Sequence, residues 1–272
     1  MNPRHLRSRT PVFAAVFLLT QLSLATAEDT PTKEQIKQFL LNAKVVGSRQ
    51  SVKGITNPWR LTMTDGTITH EGSFQAVDEH KARMDFQDGH VELNFVDSYK
   101  YNVAAYALAE LLGIDDMLPV YVERKWNGKT GSLSWWLPVK MDEGERLKQK
   151  IAAPNPDAWN KQMYRIRVFD ALVYDTDPNL TNVLIGEDWK IWRVDFSRSF
   201  RLINDIKDPK DLVQCDRQLL AKLKTLDANQ VMQRTKNYLT KSEVQSLMAR
   251  RDKIVAYFQK LISQQGEDKV LY

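Results

Sequence analysis

The chain has 272 residues, and 43% hydrophobic with 27% charged residues is globular composition, enough for one large core or two lobes; disordered and collagen-like classes are excluded. The formal charge is +5, but without Arg4, Arg7 and Arg9 of a leader segment, 36 basic residues face 34 acidic ones, and no basic run interleaved with aromatics points to nucleic acid. Cys215 is the single cysteine and His5, His70, His80 and His90 lack metal-ligand spacing, which argues against an internal disulfide, a zinc site and a Ser-His-Asp triad.

Residues 1–27 read as a secretory signal peptide. Three arginines precede the apolar run PVFAAVFLLTQLSLATA, which closes on Ala25-Thr26-Ala27 before Glu28. The run is short and interrupted by Thr20, Gln21 and Ser23, a poor spanning helix. The expectation is export to a periplasmic or extracellular location after cleavage at Ala27–Glu28, with no transmembrane span left. An uncleaved amphipathic anchor is the alternative.

Thr32 and Gln35 form a possible capping box for a helix that packs Ile36, Phe39 and Leu40. Strands follow. WRLTMT and ITHEGSFQAV flank Asp65-Gly66 as a hairpin, and KARMDF and HVELNF flank Gln87-Asp88-Gly89 as a second pair expected to extend the same sheet. The period then changes to helical in SYKYNVAAYALAELLG, with Tyr101, Ala104, Ala105, Leu108 and Leu112 on one face and Gly113 as the stop. PVYVERKW and SLSWWLPV flank NGKTG as a third hairpin.

From Pro156 the chain is mostly helical. Trp159, Met163, Ile166, Phe169 and Val173 lead into a polar stretch, and two short strands, NVLIG and KIWRVDF, surround Glu187-Asp188-Trp189. A last long helix begins at a capping box, Thr240 and Glu243, and carries its apolar stripe to Ile262. The fold class is α+β, with a strand-rich N-terminal lobe at 28–137 and a helical C-terminal lobe at 138–272.

The chemistry concentrates in YDTDPNLTNVLI (174–185) and WRVDFSRSF (192–200), where Asp175, Asp177, Asn179, Asn182 and Asp195 crowd between apolar residues. Asp, Asn and Pro are also ordinary turn formers, and that is the better reading of Asn179. Asp175 reads as structural. Arg198 and Arg201 either pair with the acidic cluster or solvate a loop.

A helix ending in Asp-x-x-x-x-Asn, a short hairpin and Asp-Phe-small resembles the protein-kinase superfold in its lipid-kinase-like branch. Asp177 and Asn182 are spaced as in the loop of phosphatidylinositol 3-/4-kinases, and Asp195-Phe196-Ser197 resembles the Asp-Phe-Gly that follows it; HipA-type bacterial kinases and secretory-pathway kinases share this plan. YNVAAYALAELLGIDDMLPVYVERKWNGKTGSLSWWL is similar to the helix, strand and pre-hinge strand of bacterial lipid-kinase-like proteins. The resemblance implies that Asn182 and Asp195 hold Mg²⁺ or Mn²⁺ with ATP, hard oxygen ligands suited to that ion, and that Asp177 orients the attacking hydroxyl and accepts its proton. It places Trp135 and Trp136 near the adenine.

Three positions depart from the pattern. The phosphate-contacting Lys is replaced by Gln75 or Asn94, its helix Glu partner by Asn102, and the usual Arg after the catalytic Asp by Pro178. Loss of both members of an ion pair is coherent, since one buried charge alone is costly. Lys53 is a candidate replacement, with Gly47, Ser48, Ser51 and Gly54 cradling phosphates through backbone N–H groups, unless this is an ordinary exposed turn. The expected function is phosphoryl transfer from a nucleotide to a lipid, protein or small-molecule acceptor. The alternatives are a pseudokinase that binds nucleotide or a partner without chemistry, and a metal-assisted phosphohydrolase, for which no second acidic pair is visible.

Overall fold

Helix α1 (Lys33–Asn42) begins at the anticipated capping box: the Thr32 hydroxyl accepts from the Gln35 N–H, and the Gln35 side chain accepts from Thr32. Phe39 and Leu40 are its buried residues. The computed structural model describes residues 31–51, 58–87, 89, 91–177 and 179–272; the segment expected to be a signal peptide, Lys53, Gly54 and Pro178 fall outside these. Thr32–Tyr272 form one compact unit.

Strands β1 (Lys44–Gln50), β2 (Trp59–Thr64) and β3 (Thr69–Gln75) follow, then β4 (Asp78–Asp85) and β5 (Val91–Ser98). Helix α2 (Tyr99–Leu112) ends at Gly113, whose φ of 68° is the left-handed stop that glycine accepts without a Cβ clash. β6 (Tyr121–Trp126) and β7 (Lys129–Trp135) turn through Asn127-Gly128, both with positive φ. The main sheet has the order β1-β2-β3-β7-β6, antiparallel throughout. Leu61, Met63, Phe74 and Leu133 are buried in it, in one core cluster with Phe39 and Leu40 of α1.

The second hairpin departs from expectation: β4 and β5 pair with each other as a separate two-stranded sheet and do not extend the main one. β7 already occupies the edge of β3, and β4 is exposed along almost its whole length, so it has no apolar face to bury in a layered sheet. Gly47 and Ser48, expected in the loop, lie inside β1 opposite Thr62 and Leu61. Their backbone belongs to the ladder, and Ser48 is solvent-exposed.

The C-terminal part is helical apart from a three-stranded sheet of order β10-β9-β8. β8 (Val139–Asp142), α3 (Glu143–Lys148) and α4 (Pro156–Val173) lead to β9 (Val183–Gly186) and β10 (Ile191–Arg193). Beyond them lie α5 (Arg217–Thr225), α6 (Ala228–Thr235), α7 (Lys241–Gln265) and α8 (Glu267–Val270). The Thr240–Glu243 capping box starts α7, and Arg250, fully buried on it, donates to the carbonyls of Leu172, Arg201 and Ile203 at 2.7, 2.9 and 2.5 Å. That ties α7 to the end of α4 and to the chain beyond β10. No helix of the described residues is long and apolar enough to cross a membrane.

Candidate functional site

Helix α4 stops at Tyr174, whose φ of 51° turns the chain out of the helix, and the acidic stretch begins there. Asp175 is buried and pairs with Arg193 of β10, which also reaches Asp170 at 3.3 Å. Burial pushes Asp175 up to about 7 against the pull of Arg193, and drives Asp170 in the same direction. Asp175 is therefore a support: its Oδ1 accepts from the N–H of Asp177 at 3.1 Å and shapes the loop from within. Asn179 is the turn former read from sequence, accepting from the Thr181 N–H at 3.0 Å to start a 3-10 turn that ends at Asn182.

The hairpin β9–β10 returns the chain alongside this loop. The Val194 N–H donates to the Asn182 carbonyl at 3.0 Å, and the next residue is Asp195. Asp195 has φ of 61°, a left-handed conformation that costs a non-glycine residue about 1 kcal/mol or more and persists only where neighbours enforce it. Here Phe196 is the anchor, fully buried against Phe169 at 5.4 Å between ring centroids.

Asn102 of α2 is the second anchor. Its Oδ1 accepts from the Phe196 N–H at 2.7 Å while its Nδ2 donates to Gln75 Oε1 on β3 at 2.8 Å. Of the two strand positions considered for a phosphate lysine, the one facing the helix is Gln75. Asn94 lies on the separate hairpin with φ of 53°, its carbonyl accepting from Arg201. A neutral amide pair thus stands where the kinase resemblance places an ion pair.

A cleft of about 1000 Å³ is lined by Asp177, Asn182 and Asp195 together, with Gln75 and the ends of β2, β3, β6 and β7 as one wall and the β4–β5 hairpin as another. Ser48 and Ser51 do not line it, although their neighbours Gln50 and Pro58 do; the Ser51 N–H donates to the Pro58 carbonyl at 2.8 Å. Trp135 and Trp136 are also absent from its lining. Trp135 stacks on His70 at 3.5 Å between centroids, and Trp136 lies under the Arg60 guanidinium at 3.8 Å. The aromatic lining comes instead from Trp59, Phe74, Trp126, Phe86 and Phe95.

Arg198 and Arg201 do not solvate a loop. Glu92 of β5 bridges them, at 2.6 Å from Arg198, while Arg198 sits over the Phe86 and Phe95 rings at 5.0 and 5.4 Å and lies 3.8 Å from Asp177. A backbone bond reinforces the latch, Ser98 N–H to Ser197 carbonyl at 2.8 Å. The hairpin is therefore fastened to the Asp195–Ser197 turn, which brings Asp97 and Glu79 into the cleft. Burial, with the nearby Asp195 carboxylate, holds the Asp97 carboxyl above the usual range against the Ser197 hydroxyl. Sequence reasoning missed both acids because no local spacing links a strand of one hairpin to a turn one hundred residues later.

The donor set suits a hard divalent cation. Asp195 and Asn182 offer a carboxylate and an amide oxygen, and Asp97 Oδ1 is sealed from solvent without a hydrogen-bond partner, an acceptor left for something else. Among the described residues no group of three His, Cys, Asp or Glu side chains is placed to hold a metal by itself, so such an ion would keep water or ligand oxygens.

No protein-family model and no curated protein matches the sequence. Solved structures do match the fold. A hydra Fam20 protein with sugar superposes with a TM-score of 0.63 over 88% of this chain and 92% of its own, at 14% identity. The Golgi casein kinase gives 0.62 over 88% and 78%, at 11% identity, and its structure with Mn and ADP bound gives 0.60. The proinflammatory kinase CtkA of Helicobacter pylori gives 0.54 over 82% and 97%, at 9% identity. The fold is that of an atypical kinase. At these identities the likeness concerns architecture, and the mixed α+β arrangement expected from sequence is present.

Proposed function

We propose that this chain is an exported kinase-like phosphotransferase whose cleft takes a nucleotide with Mg²⁺ or Mn²⁺. The observation that carries the reading is the presence of Asp177, Asn182 and Asp195 on one cleft, in a fold shared with a kinase solved with Mn and ADP. Asn182 and Asp195 hold the cation, which when bound offsets phosphate charge. Asp177, at the open side of the loop with 41% of its side chain exposed, orients the acceptor hydroxyl and takes its proton. The lipid-kinase-like spacing of the Asp177–Asn182 loop favours that branch, and the acceptor is a lipid, a protein or a small molecule bearing a hydroxyl. Residues 1–27 direct export and are removed, and Lys53 supplies a phosphate-facing cation.

The Gln75–Asn102 pair favours a second reading, a pseudokinase that binds nucleotide or a partner without chemistry, because no lysine from β3 reaches the phosphates. Calorimetric titration of the mature protein with ATP analogues, with and without Mn²⁺, together with phosphotransfer assays on lipid and protein panels, separates the two. Metal-dependent binding with transfer supports the phosphotransferase; binding without transfer supports the pseudokinase. Absence of nucleotide binding under either condition sinks the nucleotide site.

A further inference from the structure

Asp97 has a chemical environment that the fold alone does not require. It is the penultimate residue of β5, directly before the Ser98 cap of α2, and sits opposite Glu79 in the β4–β5 ladder. Like charges directly opposite on antiparallel strands repel. Arg198 attracts it but is bound to Glu92 at 2.6 Å, and the nearby Lys81 and Lys100 pair with Glu79 and Asp78 at 2.8 Å each. On its other side lie Ser197 and the Asp195 carboxylate. Glu79, Asp97 and Asp195 thus all line the cleft; the Ser197 hydroxyl serves the Asp97 carboxyl, while Asp97 Oδ1 is sealed from solvent without a hydrogen-bond partner of its own. A buried carboxylate oxygen left in that state is costly unless a cation completes the site.

On the reading of the cleft given under the proposed function, we propose that Asp97 is a further ligand of the divalent cation held by Asp195 and Asn182. The placement is enforced by structure. The Ser98 N–H bond to the Ser197 carbonyl and the Glu92 bridge to Arg198 and Arg201 fix the end of β5 against the Asp195 turn, so Asp97 cannot retreat from the cation without breaking them. Asn102 is neutral, and its amide is already engaged with Gln75, the Phe196 N–H and, at 3.4 Å, the Ser132 hydroxyl.

The rival role for Asp97 is structural, an acid beside the N-terminus of α2 that favours the helix dipole. Mn²⁺ titration of the mature protein with a non-hydrolysable ATP analogue, followed by calorimetry and by the fluorescence of Trp59 and Trp126, distinguishes them. Asp97→Asn is expected to weaken Mn²⁺ binding by at least about tenfold, the order seen when metal-site partners are removed, with the thermal midpoint nearly unchanged. Asp97→Ser, which keeps a short polar group at the start of α2, serves if the Asn variant does not fold. Wild-type Mn²⁺ affinity in both Asp97 variants, while Asp195→Asn abolishes binding, overturns the role of Asp97 and leaves the cleft reading intact. Wild-type affinity in Asp195→Asn as well overturns both.

Discussion

The Asn102 side chain of α2 donates to the Gln75 side chain of β3 at 2.8 Å and accepts from the Phe196 N–H at 2.7 Å, so one amide joins the helix, the main sheet and the Asp195 turn. Asn102 is 1% exposed, and each bond satisfies a group that water does not reach freely.

Replacing Asn102 by Leu removes both bonds and leaves the Phe196 N–H without an acceptor, an expected loss of about 2–4 kcal/mol in urea unfolding. Gln75→Leu should cost less, and the double variant should reveal a coupling of about 1 kcal/mol. A coupling near zero means that the amide pair does not fasten the helix.

The proposed function gives the acids of the cleft separable tasks. Asp195→Ala should abolish metal-dependent nucleotide binding, measured by calorimetry, whereas Asp177→Ala should leave binding nearly intact and reduce turnover by roughly two to four orders of magnitude if Asp177 is the base. Equal loss of binding in both variants contradicts that division.

Asp175 gives a pH prediction. Its carboxyl is held at about 7 in the folded protein by burial, against an ordinary value of 3.8. The folded state thus binds the proton more tightly than the unfolded one, so this contribution to stability is present below about pH 4 and is lost as pH rises toward 7, with a slope of at most about 1.4 kcal/mol per unit. Unfolding free energies of wild type relative to Asp175→Asn should fall across that window. A difference that stays flat, or rises, refutes the assignment.

Arg250 is fully buried, and burial pulls its guanidinium down to about 10, yet three carbonyls accept from it. Arg250→Met strands those carbonyls, and the expected cost is about 3 kcal/mol, or roughly 6–12 °C in Tm for a chain of this size. A shift under about 2 °C would show the ties between α7 and the Arg201–Ile203 segment to be dispensable.

Much of this architecture is legible in the chain because it is written in short-range chemistry. The capping boxes at Thr32 and Thr240, the Asp65-Gly66 and Asn127-Gly128 turns and the Gly113 stop each need only a few neighbouring residues, and each forms where expected. The Asp177–Asn182 loop and the Asp195 turn are legible for the same reason, since one tight hairpin brings them together. The place of β4 and β5 is not local. It depends on β7 having taken the edge of β3 and on Glu92 meeting Arg198 and Arg201 one hundred residues later. Asp97 and Glu79 follow that hairpin into the cleft and were invisible with it. Ser48 was misplaced because a Gly-Ser-rich segment reads as a turn, while its register against Leu61 makes it strand.

The latched hairpin has one more consequence, for encounters with other chains. Among the described residues its two strands pair only with each other; the Ser197–Arg201 segment meets β5 at Ser98 and Asn94, and the outer edge of β4 is left as the kind of template on which a foreign strand adds. β4 answers with Asp78, Glu79, Lys81, Arg83 and Asp85 along that edge, and the Lys81–Glu79 and Arg83–Asp85 contacts hold those charges at the surface. An incoming strand would have to strip water from all of them before gaining a backbone bond. The polarity that keeps this hairpin out of the main sheet also guards it against fibril-like stacking.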